Sequence, residues 1–130
     1  SVVLRNLVAN AVAFSQEGGN ITLSFSPVIR GDKVDGTSSE KEGLLFSVRD
    51  QGVGIPKDQQ GKIFSKMFKA SNSKDSDTTG SGLGLYIVQS ALATIGGKVW
   101  FTSGVGDGST FYAFFPKEGV VKKEGTTTLD

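Results

Sequence analysis

The chain has 130 residues, enough for one domain with a real core, and a net charge of +1, which offers no basic field to nucleic acid or to an anionic membrane surface. It contains no cysteine and no histidine. That excludes disulfides, thiolate or imidazole metal sites, a Ser–His triad and a phosphohistidine within these residues. No apolar run is long enough to span a membrane, and no secretory leader is visible.

Residues 2–15 place Val3, Leu4, Leu7, Val8, Ala11 and Phe14 at helical spacing, which predicts an amphipathic helix. The segment starts without a capping signal, as a fragment of something longer would. Asn6 and Asn10 lie four residues apart at the edge of the apolar arc. Asparagine is a poor helix former, so two of them beside a core face point to a polar task. Either one alone more commonly serves only to solvate a helix flank. Glu17, Gly18, Gly19 and Asn20 end the helix.

Ile21, Leu23 and Phe25 alternate with Thr22, Ser24 and Ser26, which predicts a half-buried strand. Residues 30–43 are polar and read as a long exposed hairpin loop. Residues 44–49 form a second strand, antiparallel to the first. Asp50-Gln51-Gly52-Val53-Gly54-Ile55-Pro56 follows at once. It sets a carboxylate at a strand end, before a glycine turn where a ligand can approach the backbone closely. Alone, Asp50 could simply build an Asx turn. Residues 57–68 carry Ile63, Phe64, Met67 and Phe68 at helical spacing, which predicts a short helix against the core. Residues 66–79 are polar and read as a mobile flap.

Gly80-Ser81-Gly82-Leu83-Gly84-Leu85 opens an amphipathic segment that runs from residue 83 to 95. Glycines at alternate positions leave bare N–H groups at a helix N-terminus, a natural seat for phosphate. The P-loop pattern is excluded, because the loop ends Gly84-Leu85 rather than in Gly-Lys-Ser/Thr. The dinucleotide pattern is excluded too, because Leu85 stands where its third glycine belongs and no apolar strand leads in. By itself the loop is equally compatible with a tight helix-capping turn. Gly96-Gly97 ends the helix. Residues 99–102 and 110–115 predict two more strands around a glycine-rich turn at 104–108, and Pro116 closes the last one. Residues 1–116 read as one domain and 117–130 as a polar, disordered tail.

The asparagine helix, Asp50-x-Gly-x-Gly-Ile-Pro, the Ile63-Phe64 segment, Gly80-x-Gly-Leu-Gly-Leu and Gly106-Asp107-Gly108-Ser109-Thr110-Phe111 occur in this order. Together they resemble the N, G1, F, G2 and G3 boxes of the catalytic ATP-binding domain of sensor histidine kinases. That family belongs to the GHKL group, shared with gyrase, the heat-shock protein 90 class and the MutL class. Each box is weak alone, but five in order are specific. The resemblance implies a Bergerat-type two-layer α/β sandwich, with helices on one face of a mixed, mainly antiparallel sheet. It implies ATP and Mg²⁺ as cofactors, with Asn10 as the metal ligand and Asp50 accepting a hydrogen bond from the adenine amino group.

Gly52, Gly54 and Ile55 would line the base end, and Gly80, Ser81, Gly82, Leu83, Gly84 and Leu85 the phosphates. Thr110 would contact the nucleotide, and Lys69 takes a position where the family often carries arginine near the phosphates. Asn6 stands where the hydrolytic relatives carry a glutamate that activates water. An amide is no base, so the γ-phosphoryl would be kept for another acceptor. The implied activity is protein-histidine kinase, with a separate dimerisation and histidine-phosphotransfer domain as partner and a response regulator further on. The implied location is cytoplasmic, within a parent chain that can carry a membrane anchor. Three departures stand out. Ala13 replaces the usual lysine or arginine, leaving Lys69 and Lys74 to compensate. The usual strand, helix and strand before the asparagine helix are missing, which would leave part of the sheet uncovered. The phosphoacceptor domain is also missing. The alternative is a degenerate or non-kinase module of the same fold: an ATPase, a serine kinase or a partner-binding domain.

Overall fold

The structure is a computed structural model that describes residues 1–15, 17–66 and 83–118. Helix α1 spans Val2–Phe14 and is capped after all: the Ser1 side chain accepts a hydrogen bond from the Leu4 amide at 3.4 Å. Its core face is Val3, Leu7, Ala11 and Phe14, following the predicted periodicity.

Four strands form an antiparallel sheet in the order β1-β4-β6-β5. They are β1 (Thr22–Val28), β4 (Gly43–Arg49), β5 (Lys98–Gly104) and β6 (Gly108–Pro116). The register sets Val48 between Leu23 and Phe111, and Phe46 between Phe25 and Ala113. Helix α2 (Gly84–Thr94) contributes Val88 and Leu92. With the core face of α1, Phe46, Val48, Phe111, Ala113, Phe115, Ile55 and Ile63, they make the main core between the helices and one face of the sheet. The expected two-layer α/β architecture is present.

The expected half-burial of β1 is not. Leu23 is 49% and Phe25 55% exposed. The cause is where the helices lie: α1 packs over β4 and β6, and α2 over β5 and β6. No described element covers the inner face of the edge strand. Phe25 still touches Phe46, with ring centroids 4.9 Å apart.

The loop expected at 30–43 contains a small hairpin of β2 (Lys33–Val34) and β3 (Thr37–Ser38). Asp35 and Gly36 turn it, with φ of 51° and 76°, the positive pair that a two-residue hairpin turn requires. Val34 is the one large apolar residue between positions 30 and 42. It is buried with Val28 and Phe114, against Leu45 and Trp100, on the sheet face away from the helices. The hairpin thereby closes part of that face, and Trp100 stacks on Tyr112 beside it.

The helix expected at 57–68 is replaced by a 3₁₀ helix, Lys57–Lys62, with no buried residue of its own. Its apolar residues begin only at Ile63, so burial does not reward an α-helix over the preceding turn. Ile63 is buried, and Phe64 meets the ring of Phe101 edge-on at 6.1 Å. Met67, Phe68, the expected flap beyond Lys66 and the tail from residue 119 lie outside the described residues. Among the described residues, no helix is long and apolar enough to cross a membrane.

Candidate functional site

Helix α1 is the rail along which the site is strung. Its asparagine flank faces α2, where a side chain on Gly84 would come within 3.0 Å of Asn6 Oδ1. Glycine at position 84 therefore lets the two helices approach without displacing the Asn6 amide. Asn6 Nδ2 donates to the Val2 carbonyl at 2.8 Å, which locks the amide with its oxygen towards the first turn of α2. Asn10 follows one turn along α1, half-buried, with a buried Nδ2 that has no hydrogen-bond partner. Another turn on, the helix ends against the loop after Asp50. Ser15 bridges to Gly52, and the Val53 amide donates to the Phe14 carbonyl at 3.3 Å. A Cβ on Gly52 would collide with that same carbonyl. From Asn6 to Phe14 the helix rises about 12 Å, with the α2 N-terminus at one end and the Asp50 loop at the other.

Asp50 is the most distinctive group in the molecule. It is only 1% exposed. Its Oδ1 accepts hydrogen bonds from the amides of Gly52 at 2.9 Å and Ser109 at 3.1 Å. Its Oδ2 is buried without a partner. Burial pushes the carboxyl above the ordinary carboxylate range, and the two backbone amides pull it part of the way back. Such an oxygen is fixed in direction and lacks a donor, so it suits a ligand that brings one.

The turn between β5 and β6 completes this end. The Gly106 amide donates to the Val53 carbonyl at 3.0 Å, and a Cβ on Gly54 would strike the Gly104 carbonyl. The buried amide of Ile55 donates to Ser103 Oγ at 2.8 Å. Gly108 has a φ of 78°, and a Cβ there would run into the Asp50 carbonyl.

Of the residues singled out from the sequence, Asp50, Gly52, Gly54 and Ile55 come together at one end of α1. Asn6 and Gly84 meet at the other, with Asn10 between. Leu83 precedes α2 and accepts from the Ile87 amide at 2.8 Å, while Leu85 packs on the core. Lys69, Gly80, Ser81 and Gly82 lie outside the described residues. Thr110 does not join the cluster. It pairs with Thr102 and Arg49 on the strand position next to Ser109, and its side chain leaves on the opposite face. Ser109 takes the place at Asp50. Strand alternation back from the buried Phe111 was the signal that could have found it. Ser103 and Gln60, which also brace this end, carry no motif.

Among the described residues, no three His, Cys, Asp or Glu side chains gather to hold a metal ion. The orphaned atom of Asn10 is Nδ2, a donor that suits a phosphate oxygen; Mg²⁺, which takes oxygen ligands, would be met by Oδ1 of the same amide.

A two-layer α/β domain that strings a helix N-terminus, an asparagine flank and a buried, half-satisfied carboxylate along one helix defines the class. Comparison with known proteins narrows this. The family described as histidine kinase-, DNA gyrase B- and HSP90-like ATPase matches residues 1–119, and the chain belongs to that family. The sensor histidine kinase WalK of Bacillus subtilis is 33% identical over 114 residues, covering 88% of this chain and 17% of WalK. Among solved structures, the catalytic domain of the histidine kinase ThkA superimposes with a TM-score of 0.65 at 30% identity, covering 88% of this chain and 64% of that one. Full-length ShkA in complex with AMPPNP gives 0.63 at 30% identity, covering 88% and 21%. The chain thus spans a small part of the WalK sequence and most of a separately solved catalytic domain.

Proposed function

We propose that this chain binds MgATP and donates its γ-phosphoryl group to a histidine on a separate dimerisation and phosphotransfer domain. The observation that carries the reading is the unpartnered Oδ2 of Asp50. It is one acceptor, buried and aimed by two backbone amides, at the far end of a helix whose asparagine flank meets the α2 N-terminus. A carboxylate accepts from the exocyclic amine of adenine and repels the carbonyl of guanine, so it selects ATP. The similarity to a protein solved with AMPPNP supports the same ligand.

At the other end, Asn10 would hold the metal through its amide oxygen, and the amides around Gly84 would meet phosphate oxygens with the positive end of α2 behind them. When bound there, Mg²⁺ would supply positive charge to offset that of the phosphates. The chain itself does no covalent chemistry: it positions the nucleotide and stabilises charge while the γ-phosphoryl passes from the ADP oxygen to the acceptor imidazole. Asn6 withholds a base from water, which favours transfer over hydrolysis. The phosphoryl group then passes to a response regulator, in the cytoplasm where ATP is supplied.

Ala13 favours a second reading, a nucleotide-binding module without transfer, because the flank lacks the cation that would meet phosphate there. One experiment separates the two. The chain is titrated with ATP with and without Mg²⁺, then incubated with γ-labelled ATP and a separate acceptor domain. Binding with an acid-labile, base-stable label on the acceptor is expected. Binding without label would establish the second reading, and no binding would refute both.

A further inference from the structure

Ser103 lies on β5 directly opposite Ser109 on β6. Its Oγ accepts from the Ile55 amide at 2.8 Å, lies 2.8 Å from the Ser109 hydroxyl and 3.3 Å from the Gly108 carbonyl. With one lone pair filled by the amide, its own proton goes to one of the latter two. The carbonyls of Ser103 and Ile55 both receive Gln60 Nε2, at 3.4 and 3.0 Å. Three pieces of backbone are therefore tied at one residue: the glycine loop after Asp50, the start of β6, and the 3₁₀ helix.

Those pieces also aim Asp50. The Ser109 amide and the Gly52 amide converge on Asp50 Oδ1, and the Asp50 amide returns a bond to the Ser109 carbonyl at 2.9 Å. Loop and strand hold the carboxylate in a fork, and the Ser103 hydroxyl links the two tines from behind. We infer that Ser103 is a positioning residue for base recognition: it sets the spacing between the loop and β6, and so sets where Asp50 Oδ2 points. The inference rests on the reading of Asp50 as the group that meets adenine. Ser103 itself does not touch the nucleotide.

The test compares the affinities of the 130-residue chain for MgATP, MgGTP and magnesium triphosphate. Ser103→Ala strips a partner from the Ile55 amide and the Ser109 hydroxyl, a loss worth about three- to tenfold in an equilibrium constant. We expect ATP binding to weaken by that factor, triphosphate binding to stay unchanged, and the preference for ATP over GTP to fall. Ser103→Thr, which keeps the hydroxyl, should restore the preference. A residue with only a structural role would weaken ATP and triphosphate together, and that result overturns the inference. Should Ser103→Ala fail to fold, Gln60→Ala is the second variant. It leaves both hydroxyls in place while releasing Ile55 and Ser103 from the 3₁₀ helix. The same loss of preference is expected, and an unchanged ATP-to-GTP ratio overturns the inference. A wild-type chain that binds triphosphate with no preference for ATP overturns the base-reading role of Asp50 itself, before any variant is made.

Discussion

Asp50→Asn tests the proposed base site and the cost of building it in a single substitution. The amide that replaces the carboxylate keeps an oxygen for the Gly52 and Ser109 amides, so the loop stays in place. At the Oδ2 position it presents an NH₂ donor instead of an acceptor. A hydrogen bond to a charged group is worth about 1.5–3 kcal/mol, so ATP affinity should fall about 10- to 150-fold. Triphosphate affinity should hold, because phosphate does not reach this end. The new donor faces the carbonyl of guanine favourably, so the preference for ATP over GTP should shrink or invert. Stability should move the other way. Burial raises the Asp50 pKa in the folded state above its unfolded value. The folded chain thus holds this proton more tightly, and that stability is present at acid pH and lost as pH rises through the raised value. Asparagine does not ionise, so the variant should gain stability over the parent between acid and neutral pH. Calorimetric titrations with the three ligands, and melting curves from acid to neutral pH, measure both effects. Equal loss of ATP and triphosphate affinity would remove Asp50 from the base site. A stability difference that does not change with pH would refute the desolvation argument.

Asn10→Ala should abolish the Mg²⁺ dependence of ATP binding while shifting the melting temperature by no more than about 3 °C, because the side chain makes no hydrogen bond that the fold uses; a chain that unfolds instead makes Asn10 a structural residue. Gly108→Ala combines a positive φ with a collision against the Asp50 carbonyl, so chemical denaturation should register a loss of about 1–3 kcal/mol together with loss of ATP binding. Unchanged stability would show that the β5–β6 turn does not need this close approach. Incubated alone with γ-labelled ATP, the chain should carry no label and release phosphate near background, since it holds no histidine and Asn6 is no base. Brisk phosphate release, abolished by Asn10→Ala, would mean a hydrolase.

Local pattern carried most of the fold. Helical periodicity in α1 and α2, alternation in β4 and β6, and the glycine steps between them are short-range signals that each segment holds within itself. The order of the five boxes also marked the two ends of α1, because glycine is needed where backbone crowds backbone, as Gly52 does at the Phe14 carbonyl, and helps where a side chain comes close, as Asn6 does at Gly84. Alternation was misleading where burial depends on a neighbour. Leu23 and Phe25 have the spacing of a half-buried strand, yet they stand exposed because the helices pack over β4, β5 and β6 instead. The hairpin at residues 33–38 had a legible Asp35-Gly36 turn, but only the packing of Val34 against Phe114 gives it a reason to form. The site divides the same way. Asp50 and the asparagines were readable as residue types out of place. That Ser109 rather than Thr110 meets Asp50, and that Ser103 lies behind both, depends on which strands are adjacent and in what register. Pairing of that kind is a property of residues 59 positions apart in the chain, and no local segment encodes it.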